Sequence, residues 1–190
     1  MRVVLLKRKL TSFQIIIIGF SGVIIFGTFL LMLLFSSRSG LATPFFEALF
    51  TSTSAVCVTG LIIHDTATYW SVFGQIVILL LIQIGGMGVI TVAASFAMIS
   101  GRKISLMQRS TMQEAISAPK VGGIVRLTGF IVRGTLVMEL LCAAVMAPVF
   151  CRDFGKKGLW MALFHSVSAF CNAGFDLLGV RTPFSSLTSY

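Results

Sequence analysis

A short segment that occurs twice is the feature that most constrains the fold of this chain. Residues 48–60 read ALFTSTSAVCVTG and residues 162–174 read ALFHSVSAFCNAG, at a constant offset of 114 residues. Eight of the thirteen aligned positions are identical, including two serines, the cysteine and the final glycine. Each copy follows a long apolar stretch but is itself too short to cross a bilayer, which takes about 20 residues. We therefore expect two copies of one structural unit.

The composition indicates a membrane protein. Hydrophobic residues make up 56% of the sequence, charged residues 11%, and the mean hydropathy is +0.98, whereas a soluble domain carries about 25% charged residues. Apolar spans are predicted at 13–35, about 70–99 and about 127–150. A signal peptide is the alternative for the first span. However, the span has 23 uncharged residues, more than the apolar region of a signal peptide, and no convincing cleavage site follows it.

The basic residues predict the orientation. Nine of them precede the first span or lie between the second and third spans, and five lie on the other side. Because Lys and Arg favour cytoplasmic loops, we expect a multi-pass plasma-membrane protein with a cytoplasmic amino terminus. Both repeated segments then enter the membrane from outside. The basic residues lie beside apolar spans rather than on one soluble face, which argues against nucleic acid as a partner.

Each repeated segment is expected to form a short helix and then a turn at membrane depth. Thr43 is a candidate N-cap, with Pro44 at the first helical position and Glu47 in the first turn. Gly60 and Gly174 can adopt backbone angles that a side chain would oppose. Non-helical backbone inside a membrane is tolerated only where it is buried in protein or lines a water-filled cavity. This layout is typical of an ion-channel pore unit, and ordinary Gly-ended helix caps are the alternative.

The main-chain carbonyls beside each glycine are candidates for binding a cation. Val58-Thr59-Gly60 and Asn172-Ala173-Gly174 would expose carbonyl oxygens to a pore axis, and rings of carbonyls replace the hydration shell in potassium filters. The negative ends of the short helix dipoles would also favour a cation there. Residues in the preceding turns are expected to support these loops: Ser54, Cys57, Ser168 and Cys171.

Both segments, together with IQIGGMGVIT in the second span, resemble the Trk/Ktr/HKT family of potassium transport proteins, most closely the Ktr membrane subunit. The resemblance covers essentially the whole chain. It implies an all-α integral membrane fold of repeated span–pore helix–span units. The first unit would be 1–100, a cytoplasmic basic loop 101–126, and an incomplete second unit 127–190. It also implies cation uptake, with the carbonyls of Val58, Thr59, Asn172 and Ala173 facing the ion.

The resemblance further implies partners and cargo. Membrane subunits of this family form homodimers within lipid, and cytoplasmic nucleotide-binding regulatory subunits commonly control them. Residues 101–123 are a candidate docking surface, with a basic topogenic loop as the alternative. K+ is the expected transported ion, with no covalently bound cofactor and no metal site beyond the K+ filter; the role of Na+ stays open. Since a family chain carries four units, we expect these 190 residues to be a fragment or a truncated reading frame.

Four charged residues near the membrane are candidates for further roles. Asp65 and Asp176 follow the two glycines and are expected at the outer mouth, where they would concentrate cations; loop stabilisation is the alternative. Arg133 and Glu139 lie inside the third span, where charge is costly. Arg133 is expected to reach the cytoplasmic surface. Glu139 is expected to make a structural hydrogen bond, with gating or ion binding as the alternative.

Three further interpretations stay open. The glycines of GGMG at 85–88 would serve close helix packing, or a break in the second span that serves gating. An enzyme would pair Cys57 with His64 or Cys171 with His165, but no orienting third group is evident and we predict no enzyme. A non-transporting membrane scaffold is the main functional alternative.

Overall fold

Helices and connecting turns form the part of the chain that the structure describes. A computed structural model describes residues 11–99, 106–115, 123–180, 182 and 184. Its helices are α1 (Ser12–Leu31), α2 (Phe45–Val56), α3 (Val72–Met87), α4 (Val89–Ile99), α5 (Leu106–Ala115), α6 (Ile124–Phe154) and α7 (Lys157–Phe170), with a short 3-10 helix at Leu178–Val180. The all-α prediction is confirmed for these residues. The amino-terminal basic residues lie outside them, as do residues 101–105 and 116–122 of the predicted basic loop.

Two helices, α1 and α6, are long and apolar enough to cross a membrane, and α3 is a shorter apolar helix. The first begins with a capping box, in which Thr11 and Gln14 each bond the other's main-chain N–H. It ends at Leu31, earlier than the predicted residue 35, because the chain turns there and Ser36 Oγ donates to the Leu30 carbonyl at 2.6 Å. α6 is longer than predicted and ends at Phe154, where Gly155 caps it with a φ of +61°.

The second predicted span is interrupted. α3 ends at Met87 and α4 begins at Val89, with Gly88 between them at φ +82° and ψ 133°. Only glycine adopts such angles at little cost, which explains why the interruption falls there. The break that the sequence left open is therefore present, while Gly85 and Gly86 remain helical and closely packed.

The first short helix starts one residue later than its sequence suggested. Pro44, with an extended ψ of 143°, is the N-cap, and Phe45 is the first helical residue. The prediction of Thr43 as N-cap is therefore wrong by one position; its hydroxyl accepts a bond from Tyr69 Oη at 3.2 Å instead. Glu47 lies in the first turn as predicted, and its carboxylate is 2.6 Å from His64 Nε2.

The helices of the main core pack as two groups, and α3 connects them. The first group is α1, α2 and α3, and the second is the hairpin of α6 and α7. A Cβ atom at Gly158 would collide with the Phe150 carbonyl, so glycine permits the close approach of the hairpin's two helices. α3 also contacts α7, and one buried core joins both groups, including Trp70, Ile78 and Phe164.

The outer faces of α1 and α6 carry exposed large apolar side chains, among them Phe13 and Phe26 on α1 and Phe130 and Val145 on α6. Such faces suit contact with lipid. On the predicted cytoplasmic side, α5 packs against α1, and Ser12 Oγ at the start of α1 donates to the Glu114 carboxylate at 3.1 Å. Part of the predicted loop is thus a packed helix.

Candidate functional site

The two repeated segments end in loops with the same backbone conformation. Val58 and Asn172, at equivalent positions, have φ of +57° and +56°, and Gly60 and Gly174 both have φ of +73°. The helix ends before them also agree, with Cys57 and Cys171 as the C-caps of α2 and α7. The 114-residue repeat in sequence is therefore a repeat in backbone geometry.

Each helix end forms a Schellman motif, the pair of hydrogen bonds that closes a helix with one left-handed residue. In the first loop, the Thr59 N–H donates to the Ser54 carbonyl at 3.0 Å and Val58 N–H donates to Ala55 at 3.3 Å. In the second loop, the matching bonds from Ala173 to Ser168 and from Asn172 to Ala169 measure 2.7 and 3.0 Å.

The turn in each loop begins two residues before the glycine. Sequence reasoning assigned the unusual backbone angles to Gly60 and Gly174, which do adopt them, but it missed Val58 and Asn172. A left-handed valine is a rare conformation because its branched side chain crowds the main chain. Strained residues of this kind persist where surrounding contacts hold them, often at functional positions.

The two loops meet at their glycines. A Cβ atom placed on Gly60 would lie 2.6 Å from the Ala173 carbonyl oxygen and 3.2 Å from the Cα of Gly174. A Cβ on Gly174 would lie 3.5 Å from the Cα of Gly60. The fold thus brings together residues that are 114 positions apart, and any side chain at Gly60 would displace the second loop.

The predicted support residues hold the loops in different ways. The buried Ser54 hydroxyl accepts a bond from Thr59 Oγ1 at 3.0 Å, and Ser168 Oγ donates to the Phe175 carbonyl at 2.6 Å. Cys171 is half-buried with its sulfur against Gly86. Cys57 is exposed.

His165 is a loop-holding residue that sequence reasoning missed. Its Nδ1 donates to the Met161 carbonyl at 2.7 Å, and its Nε2 accepts from the Leu177 N–H at 3.2 Å, which describes a neutral imidazole. The ring is buried and stacks on Phe150 at a centroid distance of 5.0 Å. A histidine inside an apolar helix was the available signal, because buried polar groups require partners.

Asp65 is bonded as a loop-stabilising carboxylate. It is 6% exposed, and its Oδ1 accepts from the N–H groups of Ala67 and Thr68, each at 2.9 Å, and from the Thr68 hydroxyl. Its Oδ2 accepts from the Phe184 N–H at 2.7 Å. These contacts favour the structural alternative over a carboxylate that faces the outer solution.

Asp176 follows the second loop and is half-buried. Its Oδ1 accepts from the Leu178 N–H at 2.9 Å. Burial raises the pKa of Asp176 above its usual value and the neighbouring Asp65 carboxylate adds to this, against the opposing effects of the Leu178 bond and of His165. The Leu178 bond is the contact of a carboxylate that stabilises the loop after Gly174.

Glu139 has the specific partner that its position required. Gln83 Nε2 on α3 donates to both carboxylate oxygens of Glu139, at 2.9 and 3.1 Å, and Ser166 Oγ on α7 donates to the Glu139 main-chain carbonyl at 2.5 Å. Arg133 does not join this group. It is exposed, and together with Arg126 it lines a groove of about 540 Å³ on α6.

The geometry supports neither of the two Cys–His pairs that the enzyme alternative would use. Both ring nitrogens of His165 are bonded to the main chain, so neither is available to take a proton from Cys171. His64 Nε2 is paired with Glu47 and the ring stacks on Tyr69 at 3.8 Å.

Comparison with known proteins identifies the family. The family model described as TrkH, cation transport protein, matches residues 7–190. The potassium/sodium uptake protein NtpJ of Enterococcus hirae is 44% identical over 174 residues, which cover 91% of this chain and 39% of that protein. The Ktr system potassium uptake protein B of Bacillus subtilis is 43% identical over 170 residues, or 89% of this chain and 38% of that protein.

The Ktr system potassium uptake protein B of Vibrio alginolyticus is 38% identical over 189 residues, or 96% of this chain and 41% of that protein. The chain thus spans about two fifths of the length of these curated relatives. The family resemblance that the two repeated segments predicted is confirmed. Two of the described helices are also long and apolar enough to cross a bilayer, which agrees with a location in a membrane. The chain belongs to the TrkH family of cation transport proteins.

Proposed function

We propose that this chain is the membrane-embedded part of a potassium uptake protein, and that residues 58–60 and 172–174 supply two of its filter segments. One observation carries the proposal: two loops with equal backbone angles, each closing a short helix, meet glycine to glycine. Repeated units around an axis would place such loops side by side. Their carbonyl oxygens are the ligands that replace water around K+.

The wider function follows from the relatives. One is named for potassium and sodium uptake and the others for potassium uptake by Ktr systems. We propose K+ as the cargo, with Na+ as a second cargo or a co-requirement still to be tested. The complete protein would be a homodimer in the plasma membrane, with its amino terminus in the cytoplasm and a nucleotide-binding regulatory subunit on residues 101–123.

Growth rescue tests the transport function. The coding sequence that carries these residues, together with any coding sequence that continues after residue 190, is expressed in a potassium-uptake-deficient bacterium at low external K+. The 190 residues alone are tested beside it. Rescue by either supports a potassium transporter and shows how much of the chain transport needs. Rescue by neither, with the protein present in the membrane, would favour a non-transporting scaffold.

A glycine substitution tests the filter assignment in the version that rescues growth. Gly174→Ala places a side chain at φ +73° against Gly60, whereas a Cβ at Gly22 on α1 meets no other element of the described residues within 4 Å. We expect Gly174→Ala to lower the preference for K+ over Na+ and Gly22→Ala to leave it unchanged. A change in protein amount alone, with unchanged selectivity, would contradict the filter assignment.

A further inference from the structure

We propose that Gly85 and Gly86, at the carboxyl end of α3, position both filter loops and so set the ion selectivity of the transporter. The inference rests on the function proposed above. It assigns a selectivity role to two residues outside the filter segments, on a different helix. Four contacts carry it: one at each glycine, and two that fix the surrounding helices.

Gly85 lies directly against the end of the first short helix. A Cβ atom at Gly85 would collide with the carbonyl oxygen of Val56 and lie 2.8 Å from its carbonyl carbon and 3.0 Å from its Cα. Val56 is the last residue of α2, two residues before the left-handed Val58. These neighbours are main-chain atoms, which cannot rotate away as a side chain can. Even one methyl group at position 85 would therefore displace the start of the first loop.

Gly86 lies in the same way against the second loop. A Cβ atom at Gly86 would lie 2.5 Å from the sulfur of Cys171, 2.7 Å from its Cβ and 3.4 Å from its Cα. Cys171 caps α7 and immediately precedes the left-handed Asn172. Consecutive residues of one helix thus contact the residues that lead into both loops. The two loops have a common support on α3.

The end of α3 is itself held in place. Gln83, two and three residues before the glycines, donates to both oxygens of Glu139 on α6. Ser166 on α7 bonds the main-chain carbonyl of the same residue. These bonds fix the distance between α3 and the α6–α7 hairpin, and therefore the distance between Gly86 and Cys171.

The helix break follows immediately. Gly88, two residues after Gly86, separates α3 from α4 with a positive φ of 82°. A displacement at the end of α3 would reach both loops through Val56 and Cys171 at once. Since carbonyl filters discriminate by the arrangement of their oxygens, a coordinated shift of the loops changes selectivity rather than only protein amount.

The test is a double-mutant cycle in the complete coding sequence, with uptake of K+ and Na+ measured in cells. The variants are Gly86→Ala, Cys171→Gly and the double variant, and Gly22→Ala is the matched control on a span with open space around it. Overpacking by one methyl typically shifts an equilibrium by about fivefold or more. We expect Gly86→Ala to lower the K+/Na+ uptake ratio by about that factor, and Gly22→Ala to leave it unchanged.

The double variant separates positioning from general damage. Cys171→Gly removes the sulfur and the Cβ that the new methyl would meet, so the double variant should regain part of the ratio that Gly86→Ala loses. A Gly86→Ala ratio equal to that of Gly22→Ala would overturn the inference. So would a double variant with the summed losses of the two single variants.

Two further outcomes are informative. If Gly86→Ala does not accumulate in the membrane, Cys171→Ala takes its place, because it removes the sulfur from the contact without adding an atom; an unchanged ratio for that variant overturns the inference. If the unsubstituted protein takes up no K+, the proposed function fails. If it takes up K+ selectively and the ratio does not respond, only the inference about Gly85 and Gly86 fails.

Discussion

Individual polar side chains around the two loops are bonded to main-chain atoms of neighbouring elements. His165 joins Met161 to Leu177, and Ser168 bonds Phe175. Asp65 bonds Ala67 in its own loop and Phe184 near the other end of the chain. A buried polar group that loses its partner costs about 1–3 kcal/mol. Substitution of such a residue should therefore change stability first, and transport only through the position of the loop.

Asp65 provides a clear test of that distinction. Asp65→Asn replaces one acceptor oxygen by an NH₂ group, which cannot accept the bonds from the N–H groups that face the carboxylate. We expect a loss of about 1–3 kcal/mol in stability and a fall in uptake that is the same at low and high ionic strength. Thermal unfolding of the purified protein and uptake across a salt series measure the two effects.

A charge-steering role for Asp65 would instead give a defect in uptake that depends on the salt concentration. Steering of cations weakens as salt screens the field. A defect in Asp65→Asn that is confined to low ionic strength would therefore contradict the structural role. Asp153→Asn, at the predicted outer end of α6, is the matched control for loss of one negative charge.

Gln83 and Glu139 should depend on each other for their contribution to stability. Replacing Gln83 by Leu removes the amide that donates to both Glu139 oxygens, and leaves the Glu139 carboxylate at membrane depth without these bonds. We expect Gln83→Leu and Glu139→Leu each to lower the melting temperature, and the double variant to lose less than the sum. Inter-helix bonds of this kind in membranes couple by about 0.6 kcal/mol on average and up to about 1.7 kcal/mol. Strictly additive losses would show that the pair is not coupled.

At the scale of helices, the break at Gly88 is the feature that sequence left undecided. Glycine density in GGMG indicated both close packing and interruption, and the structure assigns packing to Gly85 and Gly86 and the interruption to Gly88. The difference depends on neighbours. Main-chain and sulfur atoms of other elements face Gly85 and Gly86, whereas a Cβ at Gly88 would lie 3.9 Å from the Thr91 hydroxyl oxygen.

The break predicts a specific sensitivity at position 88. Gly88→Ala places a methyl group on a residue at φ +82° and ψ 133°, a sparsely populated conformation that costs an ordinary residue about 1–3 kcal/mol. We expect α3 and α4 to change their relative direction and uptake to fall. Gly123→Ala, at φ +85° before α6, is the control for a methyl group on another glycine with positive φ. Equal uptake losses in both variants would mean that the break has no special role.

At the scale of the whole molecule, the charge distribution predicts the orientation of every segment. Nine basic residues on the amino-terminal and central side against five on the other place residues 100–126 inside the cell and residue 40 outside. A phosphatase that is active only outside the cytoplasm, inserted after residue 40, should be active; inserted after residue 118, it should be inactive. A fluorescent protein that folds only in the cytoplasm should give the complementary result. The reverse pattern would contradict the orientation and the entry of both loops from outside.

The sequence by itself determined the class of the protein, its helical character and the equivalence of the two repeated segments. These properties are local, because long apolar runs, capping residues and repeated residues act within one stretch of chain. The same locality explains why Gly60 and Gly174 were recognised. Val58 gave no such signal, since valine normally avoids the left-handed region.

Only the tertiary structure decided which residues meet. The contact of Gly60 with the Ala173 carbonyl, the bonds between Gln83 and Glu139, and the close approach of Gly86 to Cys171 join residues that lie far apart in the chain. Such contacts depend on how helices from separate segments pack, and a single pattern of apolar residues in the sequence is compatible with many packings. The physical reason is that apolar burial is non-directional, whereas the positions of glycines and polar partners are fixed only when the helices are in place.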